Sequence, residues 1–279
     1  MNTDHNRKRP LPFTYLFITL IWTWVFWALA IVTGDHYLEF PAVLFALLGF
    51  LGPLLVAAAM VKMGYWESSL TEFMQNCFDP RRLSRDWYLY IIGLVIVLVG
   101  SPVLILAFFT GRSPAALINF TPALVLVPAV LAGALEEPGW RGYAQKALQQ
   151  RLSVLTSSIV IGVFWALWHW PLFFLPGYYH ASMGFASSAF WFFNLSILVG
   201  SVIYGWIYNR AGRIAFAAVF YHSLGNLGRM VLAVDYPGPG LEGFEGIDVV
   251  ELVDFSVEAL VAVVIVLAAR KLMFKRQNV

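Results

Sequence analysis

Apolar residues along this chain neither alternate nor recur in narrow stripes; they come in long blocks separated by short polar intervals. Blocks near 13–33, 41–61, 87–109, 121–141, 154–175, 186–208, 214–234 and 250–269 each approach the roughly 20 residues that an α-helix needs to cross a bilayer core. The pattern predicts an all-α, polytopic membrane protein of about eight transmembrane helices in one bundle. The first block, FTYLFITLIWTWVFWALAIV, is longer and more aromatic than a signal-peptide core, and no small-residue cleavage pattern follows it, so it is expected to be retained. The longest polar interval, Lys62 to Asp86, has room for a short interfacial helix, SLTEFMQNCF, and for no core of its own. No internal repeat or long linker divides the chain. Residues 1–279 read as a single transmembrane domain, with a motif-bearing core at about 120–235.

Composition agrees with lipid as the main solvent. Hydrophobic residues make up 60% of the chain and charged ones only 12%, with a mean hydropathy of +0.73. A soluble globule could not hide that much apolar surface. The 11 Trp and 23 Phe suit a chain that faces lipid tails and sets indole rings at the bilayer boundary.

Of the 18 Lys and Arg residues, all but Arg112 and Arg229 fall at the two ends or in every second connection. They are Arg7, Lys8 and Arg9; Lys62, Arg81, Arg82 and Arg85; Arg141, Lys146 and Arg151; Arg210 and Arg213; and Arg270, Lys271, Lys275 and Arg276. The seventh connection is acidic, with Asp235, Glu242, Glu245 and Asp248. Positive charge is retained in the cytosol, so both termini are expected there, in a plasma membrane if the source is prokaryotic and in the endoplasmic reticulum if eukaryotic. A lone cysteine, Cys77, excludes an internal disulfide, and no Cys/His cluster suggests structural zinc. A formal charge of +2 gives no footing for nucleic acid.

Ionisable groups inside apolar blocks cost about 2.5–3.5 kcal/mol each on insertion scales, and so mark candidate sites. Glu136, Glu137 and Arg141 stand in ALEEPGWRG, His169 in FWALWHW, His222 and Asn226 in FYHSLGN, with Arg229 just beyond. Glu137 and Arg141 are four apart and suit an ion pair on one helix face; Glu136 points about 100° away, free for other work. Pro138 removes a helical hydrogen bond and bends or restarts the helix beside the glutamates. Alternatively the helix ends there, with the charges in the headgroups and Arg141 snorkelling. His169, between Trp168 and Trp170, also fits an aromatic interface belt. A tight hairpin turning near Arg151 to Ser153 would nonetheless bring Glu136 and His169 level, at a rise of about 1.5 Å per residue. His222 and Asn226 share one helix face and could serve only to hydrogen-bond neighbouring helices. Arg229 continues that stripe; it could meet a substrate carboxylate, though a structural ion pair is the expected use.

A carboxylate level with a histidine can polarise water, and an imidazole with an amide can donate to a developing oxyanion. Together these are the groups needed for amide hydrolysis. HExxH, GxSG and GxGD elements are all missing, although zinc on His169, His222 and a glutamate is geometrically conceivable.

The ordered set EExxxR (Glu136, Glu137, Arg141), aromatic-xxx-His (Trp165 to His169) and HxxxN (His222 to Asn226) resembles the CPBP family of CAAX prenyl endopeptidases and bacteriocin-processing or self-immunity proteins. The resemblance implies a glutamic intramembrane endopeptidase that needs no cofactor or metal and opens toward the cytosol. It implies that Glu136 and His169 activate water, that His222 and Asn226 form the oxyanion hole, and that Glu137 and Arg141 support them. Phe is common where this chain has Trp165, which is expected to be a size-tolerant packing position. Eukaryotic members trim three residues after a prenylated cysteine, while many bacterial relatives have no prenylated substrate. The expected partners are therefore a peptide or protein substrate, prenylated or not, and the bilayer. The competing readings are a non-catalytic scaffold or immunity protein that uses the same polar residues for helix packing, and a transporter, which would need two similar halves that the sequence does not display.

Overall fold

The computed structural model describes residues 8–119, 126–231, 233–234 and 246–276, and its helices follow the order of the apolar blocks. Helix α1 (Pro12–Thr33) begins on a proline, whose missing N–H is harmless at that position, and stops at Gly34, which takes a left-handed φ of 73°. Next come α2 (Ala42–Phe50), α3 (Gly52–Lys62), the short α4 (Leu70–Phe78), the long α5 (Arg85–Thr110) and a single turn, α6 (Pro114–Leu117). Helix α7 (Leu126–Glu137) runs into a π-helix at Pro138–Gln145 and a last turn, α8 (Lys146–Leu148). Helix α9 (Val154–His169) tightens into a 3-10 turn at Trp170–Phe174. The order closes with α10 (Tyr179–Met183), α11 (Ser188–Arg210), α12 (Ala215–Val231), α13 (Val249–Ala268) and α14 (Arg270–Met273). A two-residue antiparallel ladder, β1 (Ile118–Asn119) with β2 (Ala233–Val234), joins the segment before α7 to the segment after α12.

Among the described residues, four helical stretches, α1, α5, Val154–Phe174 and α11, are long and apolar enough to cross a membrane, and the bent pair α2–α3 makes a fifth if it is one span. Lipid-facing rows such as Phe17, Ile21 and Val25 on α1 and Leu260, Val263 and Leu267 on α13 are exposed. The chain is thus an all-α, multi-pass integral membrane protein. The expected number of eight spans is not established: α7 and α12 have 12 and 17 residues, and α13 carries Glu251, Asp254 and Glu258. Arg7, Asp235, Glu242 and Glu245, used above in assigning sides, lie outside the described residues.

The 50° bend between α2 and α3 has a chemical cause. Pro53 has no N–H to offer Gly49, so the Thr23 hydroxyl of α1 donates to the Gly49 carbonyl instead, at 3.0 Å. The Trp22 and Trp27 indoles donate to the carbonyls of Leu48 and Ala46 at 2.8 and 3.1 Å. In lipid such groups must be satisfied internally, which is why a polar edge of α1 lies against the break.

The interfacial segment does fold as a helix, α4, with Ser69 accepting from the Glu72 N–H at its start. It is also docked: Phe73 and Cys77 are buried, and the Asn76 side chain donates to Arg213 O at 3.2 Å and accepts from Ala215 N–H at 3.0 Å, capping α12.

Elsewhere small residues let helices meet closely. A Cβ on Gly139, in the π-helix, would lie 2.0 Å from the Tyr15 hydroxyl and 2.6 Å from the carbonyl oxygen of Pro53, which is backbone and cannot step aside. Gly139→Ala is therefore expected to destabilise the protein by roughly 1–3 kcal/mol through overpacking, read as a lower unfolding temperature in detergent; an unchanged temperature would contradict this packing.

Candidate active site

The site begins where α7 stops being an α-helix. Pro138 cannot return a hydrogen bond to the preceding turn, and the chain widens into π-helical turns through Gln145 before resuming α-geometry. The expected break beside the glutamates is thus a change of helical pitch. It keeps both Glu137 and Arg141 inside the protein, at 0% exposure. The alternative in which these charges sit in the headgroups is overturned. Arg141 is therefore not one of the charges available at the membrane surface, which leaves Lys146 and Arg151 in that connection. The fourth block accordingly does not cross as one α-helix to residue 141.

Arg141 lies against three kinds of partner. Its Nη1 donates to both oxygens of Glu137, at 3.2 and 3.1 Å. Its Nη2 donates to Ser201 Oγ at 2.9 Å, and that hydroxyl donates onward to Ser158 O at 2.7 Å. Its guanidinium carbon lies over the rings of Trp165 and Tyr204, at 4.8 and 4.3 Å from their centroids. Nη1 and Nη2 are thus satisfied, while the buried Nε has no hydrogen-bond partner among the described residues; the paired carboxylate and the rings against the guanidinium let the charge exist in a dry interior.

Glu137 has a second task. His222 Nδ1 lies 2.9 Å from its Oε1, so α12 is tied to α7 by an imidazole–carboxylate bond. An ionised carboxylate only accepts, so Nδ1 carries the hydrogen of that bond. Asn226 lies one turn beyond on the same helix, half-buried, with no hydrogen bond among the described residues.

Glu136, also buried, accepts a hydrogen bond from the Trp165 indole at Oε2, at 2.7 Å. His169, at the last turn of α9, directs Nδ1 to the carbonyl of the same residue, Trp165, at 2.8 Å. A carbonyl cannot donate, so Nδ1 bears the proton and the lone pair of Nε2 is left free. Trp165 thus touches both residues that were expected to lie level. Its expected role as a packing position is too small: the indole N–H is a working donor, which an aromatic class at that position does not specify.

The sequence reading also passed over Ser201 and Tyr204 on α11, since one hydroxyl in an apolar block carries no distinctive signal. It passed over His180 as well, which stacks on His169 with ring centroids 5.6 Å apart. Arg229 forms the structural ion pair, with Glu258 and with Asp254 of α13, the latter at 3.6 Å. Among the described residues, no three His, Cys, Asp or Glu side chains are grouped to hold a metal ion.

Two comparisons with known proteins bear on this cluster. Residues 117–228 match the family described as type II CAAX prenyl endopeptidase Rce1-like. The chain is also 27% identical, over 282 residues, to CAAX prenyl protease 2 of Methanococcus maripaludis, covering 95% of this chain and 96% of that protein. The matched segment contains Glu136, Glu137, Arg141, Trp165, His169, His222 and Asn226, and over residues 117–228 this integral membrane protein is similar to the Rce1-like type II CAAX prenyl endopeptidases.

Proposed function

We propose that this chain is an intramembrane endopeptidase of the glutamic type, in which Glu136 and His169 activate a water molecule for attack on a peptide carbonyl. The observation that carries this reading is the placement of Glu136 and His169 on one residue, Trp165, beside the Glu137–His222 pair. Water held between Glu136 Oε1 and His169 Nε2 gives its proton to Glu136 as its oxygen bonds to the carbonyl carbon. The oxyanion that forms is met by Asn226 Nδ2 and by the Nε2–H of His222, whose orientation Glu137 fixes. Collapse breaks the C–N bond, and Glu136 passes its proton to the leaving amine, returning to a carboxylate. Arg141 holds Glu137 in place. No step draws on a cofactor or a metal.

The proposed substrate is the C-terminal segment of a prenylated protein, the class named for the relative. Such a substrate arrives with its lipid chain already in the bilayer. We propose that both termini lie in the cytosol, a reading supported by the distribution of Lys and Arg, and that the entrance opens to the same side, as the resemblance to CAAX prenyl endopeptidases implies.

The test uses purified protein in detergent, a farnesylated CAAX peptide and the same peptide without its lipid. Cleavage of the farnesylated peptide that is lost in Glu136→Gln and unaffected by strong chelation is the expected result. Loss of cleavage on chelation, with recovery on adding zinc, would replace the glutamic mechanism by a metal one. Well-folded protein that cleaves neither peptide would favour the scaffold reading.

A further inference from the structure

The two carboxylates of this site are adjacent in the chain, yet the cations bond only one of them and the other is to act as the base. Arg141 and His222 both bond Glu137, and both lie close to Trp165, the guanidinium 4.8 Å from the ring centroid and the imidazole 5.6 Å from it. Glu136 is the neighbouring residue, and a rotation of its side chain toward the same pair is the competing arrangement. Ion-paired there, it would be a poor base and would point away from His169. What opposes that rotation is the bond from the Trp165 indole to Oε2, 2.7 Å long and buried.

We infer that Trp165 is a positioning residue: its indole N–H holds Glu136 by Oε2, keeps that carboxylate away from Arg141 and His222, and leaves Oε1 to take the proton from water. The inference rests on the proposed hydrolytic reading. Trp165 reaches this place because α9 presents residues 165 and 169 one turn apart on one face, both buried. Its edge donates to one carboxylate while its face covers the guanidinium that neutralises the other. A phenylalanine would fill most of the same volume and still offer a face to Arg141, but it has no donor. The bond therefore belongs to this chain rather than to any aromatic residue at that position.

The decisive variant replaces Trp165 with 3-benzothienylalanine, which keeps the bicyclic shape and exchanges N–H for sulfur; Trp165→Phe accompanies it. On the farnesylated peptide both are expected to lower kcat roughly 10- to 100-fold, as loss of a hydrogen bond to a charged group implies, with KM within twofold of wild type. A purely structural role would leave the benzothienyl protein at wild-type kcat, and that result would overturn the inference. So would a rise in KM at constant kcat.

A second measurement does not depend on turnover. In 15N-indole-labelled protein the Trp165 Nε1–H resonance, identified by its loss in Trp165→Phe, is expected to move upfield in Glu136→Ala. A resonance that stays in place would show that the bond is not made. If wild type cleaves no peptide while this resonance does move, the hydrolytic reading fails and the bond stands; if wild type cleaves and the benzothienyl protein matches it, only the positioning role fails.

Discussion

Glu136→Gln is expected to lower kcat for peptide cleavage by about 10²–10⁴-fold, the usual contribution of a positioned general base, while leaving the unfolding temperature of the protein unchanged. The two halves of this expectation have separate causes. Glutamine has nearly the shape of glutamate, and its amide oxygen can still accept the Trp165 indole hydrogen that reaches Oε2 at 2.7 Å. Nothing in the packing of α7 against α12 need move. The amide cannot, however, take a proton from water at neutral pH, so the chemical step loses its base while substrate binding persists. Turnover should fall and KM should hold. Measuring kcat, KM and thermal unfolding on one preparation checks all of this together. Wild-type turnover in the variant would return the cluster to a helix-packing role, and a collapse of stability would mean that Glu136 is structural.

Most of the fold was legible because lipid leaves few choices. Apolar blocks near 20 residues become helices in a bilayer whatever their detailed periodicity, and helices appear in each block. What the blocks could not convey is where a helix changes character. Pro53 and Pro138 are both visible in the sequence, yet one yields a 50° bend relieved by Thr23 and the other a π-helix. At Pro53 the Thr23 hydroxyl of another helix supplies a hydrogen bond to the freed carbonyl, and that is a tertiary fact. The number of crossings escaped for a related reason: α13 is apolar on its lipid side but carries Asp254 and Glu258, whose charge is balanced by Arg229 from another helix.

The site was legible in its residues and less so in its wiring. Glu137 and Arg141 were expected to pair from their spacing, and they do. That His222 would join them could not be read from the sequence, since a bond across 85 residues has no local signature. Trp165 was misjudged because an aromatic residue in an apolar helix looks like packing until its one polar atom is placed. The expected roles of Glu136, His169, His222 and Asn226 remain proposals about chemistry; their placement makes the proposals testable.

Glu137 offers the other large effect, and the sharper test. Replacing it with leucine leaves the Arg141 guanidinium, at 0% exposure, without its counter-charge, and removing one partner of a buried ion pair typically costs about 3–5 kcal/mol. Glu137→Leu is therefore expected to unfold at a markedly lower temperature and to lose cleavage. Arg141→Met should be milder, because Glu137 would keep His222 as a partner. The double variant Glu137→Leu/Arg141→Met separates stability from function. Exchanging a whole buried pair for apolar residues of similar volume is often close to neutral, so much of the lost stability should return, a coupling that a double-mutant cycle measures directly. Cleavage should not return. With Glu137 gone, His222 Nδ1 has lost the acceptor 2.9 Å away, and nothing holds its imidazole aimed at the oxyanion. A double variant that regained both stability and turnover would show that the pair serves packing alone, and would remove His222 from the oxyanion hole proposed above.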